Sequence, residues 1–237
     1  MKQYNRTNTI NRAGAAFLVL LLLFASIFQT SCSKSEYDPL EGVETITVQD
    51  DASRDVKIPA EIERIAPSGA TATMMLIPIA YDMLAGIAAS PSIDQEKFLP
   101  EELLYLPTFG QFYGSKSTLN MESLIAAEPQ VVFDLGDKKV TITQDMDLIQ
   151  KQTGIPTLFY DGTLEHMAET YRTLGSILGR EEEAEKIAEF IDRTVDMAHT
   201  NSAKITEEDK VTIMYGTGAT GLAVNADGSS QSQVIDF

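Results

Sequence analysis

The chain has 237 residues and a formal net charge of −17 at pH 7, from 35 acidic and 18 basic side chains. A surface this acidic repels the phosphate backbone of nucleic acids, so nucleic-acid binding is excluded from the expected functions. The length allows one large or two small domains, the 43% hydrophobic content is ordinary for a packed protein, and the single cysteine allows no internal disulfide.

The first 31 residues have the layout of a secretory signal peptide. Basic residues precede an apolar run at residues 13–28, and small polar residues follow it. The run is shorter than the about 20 residues that a helix needs to cross a bilayer, so cleavage is favoured over a retained anchor.

Cys32 follows this segment and resembles the lipid-attachment site of bacterial lipoproteins, although Gln29 stands where a leucine-like residue is usual. The resemblance implies that Cys32 is acylated and anchors an extracytoplasmic protein to the bacterial cell membrane. The alternatives are a cleaved signal with an incidental thiol, and an uncleaved membrane anchor.

Residues 32–44 are polar and contain Pro39 and Gly42, which predicts a flexible tether. Polar and apolar residues then alternate over 45–49 and again over 55–58. With a polar turn between them, these two runs predict a β-hairpin.

Helices and apolar strands alternate in the next part of the chain. A helix is predicted over 71–81, interrupted or ended near Pro78, and a short strand over 84–88. The following elements are a helix over 120–127 whose start is marked by Thr118, a strand over 131–135, a helix over 145–153 capped by Gly154, and a strand over 157–160. Nearly unbroken apolar strands between helices indicate a parallel sheet covered on both faces. Residues 45–163 are therefore predicted to form an α/β lobe with a doubly wound parallel sheet.

Residues 164–203 are predicted to be helical almost throughout, with a break at 178–180 and an acidic start at 181–183. Such a helical pair is too long for an ordinary crossover connection. A strand predicted over 210–215 begins a second α/β lobe, to which residues 204–237 belong.

Nine short segments resemble, in order and spacing, the cobalamin, ferrichrome and haem-binding group of substrate-binding proteins that supply ABC importers. These segments are residues 46–51, 56–59, 63–65, 86–87, 120–124, 128–132, 154–156, 174–175 and 178–182. Each is weak alone, and their fixed order makes the joint match strong. The resemblance implies two lobes bridged by a long helix, here residues 164–203, with the ligand in the cleft between the lobes. Because chains of this family are longer, we expect the second lobe to be incomplete in this sequence.

The resemblance implies a monomeric, acylated receptor outside the cytoplasm. Its cargo would be a metal chelate, namely a ferric siderophore, haem or a corrinoid, which it delivers to an ABC permease without catalysis. One alternative is a nitrogenase-like enzyme or cofactor-binding domain on the same fold, against which the signal peptide argues because such enzymes work in the cytoplasm. Another is a surface adhesion or sensor domain.

Loops that follow the carboxyl ends of strands face the ligand in an open parallel sheet. The loops in that position are residues 67–71, 90–93, 109–116, 134–139 and 160–163. The expected ligand-binding residues within them are Ser68, Thr71, Ser90, Phe109, Phe112, Tyr113, Lys138, Lys139 and Tyr160.

The aromatic residues of the third loop are the best candidates for ligand contact. Phe109, Phe112 and Tyr113 cluster between two glycines and offer flat apolar area for a macrocycle or an aromatic chelate. The alternative is that these rings fill the core of the lobe.

Two lysines and a tyrosine are further candidates. Lys138 and Lys139 would attract an anionic complex, or else they form a solvated turn. Tyr160 at its strand end would stack on or ligate the cargo, or else it packs in the core.

Glu122 has a different expected role. The resemblance implies that this residue projects from the lobe surface and docks into arginines of the permease. The alternative, compatible with the first, is a capping glutamate that serves the amides of Thr118 or Leu119.

The motifs of other functions do not fit. Residues 216–221 read G-x-G-x-x-G, but turn and strand residues follow where a dinucleotide site needs a helix, and the glycines of 110–117 have the wrong spacing for a phosphate-binding loop. His166 and His199 are the only histidines, whereas related proteins that bind bare zinc or manganese supply several. No G-x-S-x-G occurs, and Cys32 is consumed in the tether. We therefore expect no catalytic residue, no bound metal ion of the protein's own and no cofactor.

Overall fold

The computed structural model describes residues 37–114, 117–224 and 232. The predicted signal peptide and Cys32 lie outside the described residues. The elements in chain order are strands β1 (Thr45–Gln49), β2 (Asp55–Pro59) and β3 (Ile65–Pro67), helix α1 (Ala70–Ala80), a 3₁₀ turn (Tyr81–Met83), helix α2 (Ile93–Glu96), a 3₁₀ turn (Glu101–Tyr105), helix α3 (Met121–Ala126), strand β4 (Val131–Gly136), helix α4 (Ile142–Thr153), strand β5 (Thr157–Asp161), helices α5 (Met167–Leu178) and α6 (Glu181–Ser202), and strands β6 (Gly216–Thr217) and β7 (Ala223–Val224). Within the part of the chain that is described, no helix is both long and apolar enough to span a membrane.

The predicted parallel α/β sheet is confirmed. Its strands lie in the order β3-β4-β5, with Ile65 opposite Val131 and Val132 opposite Thr157. The carboxyl ends of all three strands therefore meet at one edge of the sheet, which is where the loops of the candidate site begin.

The strand predicted over 84–88 is present only as two isolated parallel bridges, Leu84 with Ile65 and Ile87 with Thr108. The segment changes partner along its length, because the amide of Ala85 donates to Ile65 while the carbonyl of Ile87 accepts from Phe109. A run divided between two partners cannot form a continuous ladder.

Both faces of the sheet are buried, as the near-continuous apolar strands predict. Side chains alternate along β4, so that Val131, Phe133 and Leu135 join a core cluster with α1 and α5. Val132 faces the opposite cluster, which α4 and the loop before α3 complete. Burial of alternate residues on two faces is what fixes the register of the strand.

The predicted hairpin is also present, and its turn covers the open edge of β5. Strands β1 and β2 pair antiparallel with Thr45 opposite Pro59. In the turn between them, Asp50 accepts a hydrogen bond from the amide of Phe159 at 3.2 Å, and Arg54 donates to the carbonyl of Thr157. A buried ion pair of 2.7 Å joins Arg54 to Asp50. These polar side chains satisfy backbone groups that an edge strand would otherwise leave unpaired.

Helix ends follow the expected capping rules with one correction. Gly154 ends α4 in the left-handed conformation at φ +73°, as predicted. The start of α3 is marked by Asn120, whose side chain accepts a hydrogen bond from the amide of Ser123, and not by Thr118. Thr118 lies too early to reach the first helical turn, and its hydroxyl accepts from the amide of Gln111 instead.

Helix α1 continues through Pro78 and ends close after it at Ala80, near the predicted position. The missing proline amide leaves the carbonyl of Met74 without its helical donor.

The two long helices pack against each other and α5 packs against the lobe. In α5, Tyr171 is buried and its hydroxyl donates to the carbonyl of Met75 in α1. Arg172 joins α5 to α6 by ion pairs of 2.9 Å to both Glu185 and Asp192. Helix α5 thus shares a core with α1 and the sheet, and the lobe division and the bridging role of residues 164–203 stay predictions.

The strand predicted over 210–215 is absent. The side chains of Val211 and Met214 are exposed, and no described strand pairs with this segment. A strand needs a hydrogen-bonding partner, which a sequence pattern cannot supply. The glycine-rich stretch that follows forms the turn of a short antiparallel hairpin, with Gly216 opposite Val224.

Candidate functional site

A polar cavity of about 490 Å³ opens at the carboxyl ends of β3, β4 and β5. Loops after each of these strands and the loop before α3 contribute to it, whereas the expected loop at 90–93 does not. The cavity is lined by Ser68, Gly69, Ala70, Thr71, Ala72, Gln111, Tyr113, Asp134, Leu135, Gly136, Asp137, Lys139, Gly162, Thr163, Leu164 and Met167.

A buried carboxylate with two hydroxyl donors lies in this cavity. Asp134 is 5% exposed, near the end of β4. The hydroxyl of Ser68 donates to its Oδ1, and the phenol of Tyr113 donates to its Oδ2 at 2.7 Å. Because Asp134 has the same parity on the strand as Val132, it faces the side of the sheet where the loop with Tyr113 packs. The alternation of β4 thus places the carboxylate beneath that tyrosine.

Burial governs the protonation of these groups. Desolvation raises the pKa of Asp134 above its usual value, while the hydrogen bonds from Ser68 and Tyr113 and the charge of Lys139 lower it in part. Desolvation and the adjacent Asp134 carboxylate raise the pKa of Tyr113 far above its usual value. The phenol of Tyr113 therefore stays protonated and serves as a donor to Asp134, not as a phenolate ligand.

Lys139 packs over one face of the Tyr113 ring. Its Nζ lies 4.9 Å from the ring centroid, which is a cation–π distance. Lys138 is exposed and lies outside the cavity lining. The two adjacent lysines expected to act together are thus separated by the turn.

Phe109 and Phe112 are core residues, which corrects their assignment to the ligand surface. They are 0% and 4% exposed. The ring of Phe109 fills the space over Gly86, where an added Cβ would come within 2.2 Å of it. The amide of Phe112 donates to the carbonyl of Ser68, which holds the loop against the sheet. Two large apolar rings so close to the core gain more from burial than from facing water.

Tyr160 and Ser90 also lie outside the polar cavity. Tyr160 is 3% exposed and belongs to the core cluster with α1, because strand alternation turns it inward. Its hydroxyl has no hydrogen-bond partner among the described residues. Ser90 lines a separate apolar groove of about 350 Å³ between α1 and residues 87–103.

Of the expected ligand-binding residues, the structure brings together Ser68, Thr71, Tyr113 and Lys139. The sequence interpretation missed Asp134 and Gln111. A signal for Asp134 was present, since a charged residue inside a buried apolar strand is costly unless it has a specific role or partner. No comparable signal marked Gln111, whose side chain lies over Gly69, within 2.3 Å of where a Cβ on that glycine would stand.

The described residues contain no group of three or more His, Cys, Asp or Glu side chains arranged to hold a metal ion. The lining of the polar cavity offers hydrogen bonds, an aromatic ring and charges to a ligand. Glu122, in the first turn of α3, lies on the surface away from the cavity lining.

The sequence matches a family model described as periplasmic binding protein over residues 88–236. No curated protein sequence matches the chain. Among solved structures, an ABC transporter solute binding protein from Sulfurospirillum deleyianum is similar at 25% identity with a TM-score of 0.71, over 80% of this chain and 59% of that one. A periplasmic solute binding protein from Veillonella parvula is 23% identical with a TM-score of 0.52, over 69% of this chain and 50% of that one.

A third similar structure is the Haemophilus influenzae periplasmic binding protein MolA, bound to molybdate. It is 14% identical with a TM-score of 0.53, over 74% of this chain and 61% of that one. At this identity the likeness shows the fold alone. The chain spans between half and about three fifths of the length of these three structures.

Proposed function

Because the chain belongs to the periplasmic binding protein family, we propose that it is an extracytoplasmic receptor that binds a metal chelate and delivers it to an ABC permease. Its family and its structural neighbours are solute-binding transport proteins, so ligand capture and not catalysis is the activity to test. The resemblance noted in the sequence is thereby confirmed at the level of the family.

The observation that carries the proposal is the polar cavity at the carboxyl edge of the parallel sheet. Ligands of open α/β sheets bind outside these strand ends. The cavity presents an aromatic ring, Tyr113, next to hydrogen-bonding groups of Ser68, Thr71 and Gln111. Small-molecule binding sites typically combine apolar and aromatic surface with a few fixed polar groups.

A chelate suits this cavity better than a bare metal ion. The described residues supply no set of metal ligands, and the phenol of Tyr113 is committed to Asp134. A ferric siderophore, haem or a corrinoid carries its own metal ligands and needs from the protein only shape, stacking and hydrogen bonds. The cargo is proposed to be one of these three classes.

Glu122 is proposed to dock the receptor on the permease. It lies in the first turn of α3, is exposed, and its side chain makes no hydrogen bond with another described residue. An unpaired surface carboxylate can meet an arginine of a partner without first breaking an internal contact. Interfacial charge of this kind acts mainly on the rate and specificity of association.

Attachment to the membrane is proposed to occur through lipid on Cys32, after removal of residues 1–31. This part of the proposal rests on the sequence alone. Lipid would keep a monomeric receptor close to its permease, since two or more acyl chains hold a protein stably at a membrane.

Calorimetric titration of the 237-residue chain with ferrioxamine B, haem and cyanocobalamin tests the proposal. We expect at least one of the three to bind at micromolar concentration or below. Thr71→Trp, which places a large side chain in the cavity, is expected to abolish that binding. The matched control is Met74→Trp on the same helix, which lies outside the polar cavity and should bind as the native chain does. Equal binding by Thr71→Trp would show that the ligand site is elsewhere.

A further inference from the structure

The charge of the polar cavity affects which ligands bind there. This inference rests on the proposed function. Two carboxylates, Asp134 and Asp137, line the cavity together with one ammonium group, that of Lys139. Asp137 and Lys139 are exposed, so water and salt screen their charges. Asp134 is buried, and a buried charge acts on a ligand with much less screening.

The hydrogen bonds of Asp134 favour its ionised form. Each carboxylate oxygen accepts from one hydroxyl, of Ser68 or of Tyr113, and neither hydroxyl has a formal charge to cancel that of Asp134. The charge of Lys139, which lies over the Tyr113 ring, opposes that of Asp134, and Asp145 on α4 adds a further negative charge. Above the raised pKa of Asp134, the interior of the cavity is therefore negative.

One feature of the cavity opposes this charge. Helix α1 begins there, and its N-cap residue Gly69 supplies no side-chain hydrogen bond. The open amides of a helix N-terminus amount to about half of a positive elementary charge. This is smaller than the full charge of the buried carboxylate, so Asp134 decides the sign of the potential.

We propose that Asp134 sets the charge selectivity of the site and that it favours cationic and neutral chelates over anionic ones. A carboxylate about 8 Å from a ligand charge, at an effective dielectric constant of about 30, changes affinity by about tenfold per unit of ligand charge. Cationic or neutral hydroxamate siderophores and neutral corrinoids fit this selectivity. Polyanionic catecholate siderophores do not. This proposal is the opposite of the expectation from the sequence that Lys138 and Lys139 attract an anionic complex.

Three iron(III) trihydroxamates that share one coordination core test this selectivity. They are ferrioxamine B with net charge about +1, its N-acetyl derivative with net charge about 0, and its N-succinyl derivative with net charge about −1 at pH 8. Each is titrated by calorimetry into the native chain, Asp134→Asn and Lys139→Met. Asp196→Asn on α6 removes a surface charge far from the cavity lining and serves as the control.

The native chain is expected to lose about tenfold in affinity at each step from the cation to the anion. Asp134→Asn should reduce that total spread, from the cation to the anion, about hundredfold, Lys139→Met should widen it, and Asp196→Asn should leave it unchanged. Circular dichroism checks that each variant is folded. If Asp134→Asn does not fold, the order of affinities in the native chain decides the question, since the proposal requires the cation to bind more tightly than the anion.

Three contrary results would distinguish an error in the charge selectivity from an error in the proposed function. An anionic derivative that binds the native chain as tightly as the cation overturns the charge selectivity and leaves the proposed function intact. A uniform loss of affinity for all three complexes in Asp134→Asn also overturns it, because it assigns Asp134 a purely structural role. Absence of binding by all three trihydroxamates, haem and cyanocobalamin overturns the proposed function and the selectivity together.

Discussion

Replacing Tyr113 with phenylalanine removes one hydroxyl from the polar cavity while keeping the ring. The lost hydrogen bond, 2.7 Å from the phenol to Oδ2 of Asp134, is made to a buried carboxylate. Hydrogen bonds to charged groups contribute about 1.5–3 kcal/mol, so Tyr113→Phe should lower the free energy of unfolding by about 2 kcal/mol at pH 8. For a domain of this size that corresponds to a fall in Tm of about 4–8 °C.

The pH dependence of this loss distinguishes the hydrogen bond from packing. The Tyr113 hydroxyl favours the ionised form of Asp134 and lowers its folded-state pKa, which desolvation has raised. Removing the hydroxyl raises that pKa further. The stability difference between the native chain and Tyr113→Phe is therefore largest above the pKa of Asp134 and shrinks as pH falls through it.

Urea unfolding over a series of pH values measures both free energies, with Tyr105→Phe as the control. Tyr105 is 78% exposed and its hydroxyl makes no hydrogen bond with another described residue, so its replacement should change stability by less than about 0.5 kcal/mol. A loss in Tyr113→Phe that does not change with pH anywhere in the series, or no loss at all, would refute the assignment of the hydroxyl to Asp134.

Three further predictions concern the core, the proposed permease-docking residue Glu122 and the proposed lipid attachment at Cys32. Phe112→Ala should lower the free energy of unfolding by about 3–5 kcal/mol because it leaves a cavity in the core. Phe98 is 86% exposed, so Phe98→Ala should lower it by about 0.5 kcal/mol or less. Equal losses in urea unfolding would contradict the assignment of Phe112 to the core. Glu122→Lys should leave the affinity for the chelate within error but slow its uptake in cells, and loss of chelate binding would place this residue in the cavity instead. Cys32→Ser should abolish incorporation of labelled palmitate in cells, and equal labelling of both proteins would exclude the lipid anchor.

The sequence predicted the arrangement of the lobe well because its signals are local. Alternation over β1 and β2, apolar runs at β4 and β5, and Gly154 after α4 depend only on neighbouring residues. The order of these elements then fixes a parallel sheet, since crossover helices connect its strands. The edge where the cavity lies follows from that topology.

The strand predicted over 210–215 was wrong because strand pairing is not a local property. Its alternation is suitable for a strand, but a strand also needs a partner, and no described strand pairs with it. The segment 84–88 shows the same limit, since its backbone divides its hydrogen bonds between Ile65 and the loop near Phe109.

The cavity residues were predicted less well, because the orientation of a loop side chain depends on tertiary packing. Phe109, Phe112 and Tyr113 look alike in the sequence, yet only Tyr113 lines the cavity. The phenol accounts for the difference, since it can donate to Asp134, while the two phenylalanines gain only from burial. Asp134 was not predicted because its two hydroxyl donors, on Ser68 and Tyr113, come from distant parts of the chain.

A crystal structure of the protein with the chelate that binds most tightly in the titrations would show where the ligand lies. We expect the chelate in the polar cavity, against the Tyr113 ring and within hydrogen-bonding distance of Thr71 or Gln111. A chelate seated in the apolar groove lined by Met74 and Leu103, or on a surface remote from the ends of β3, β4 and β5, would contradict this expectation.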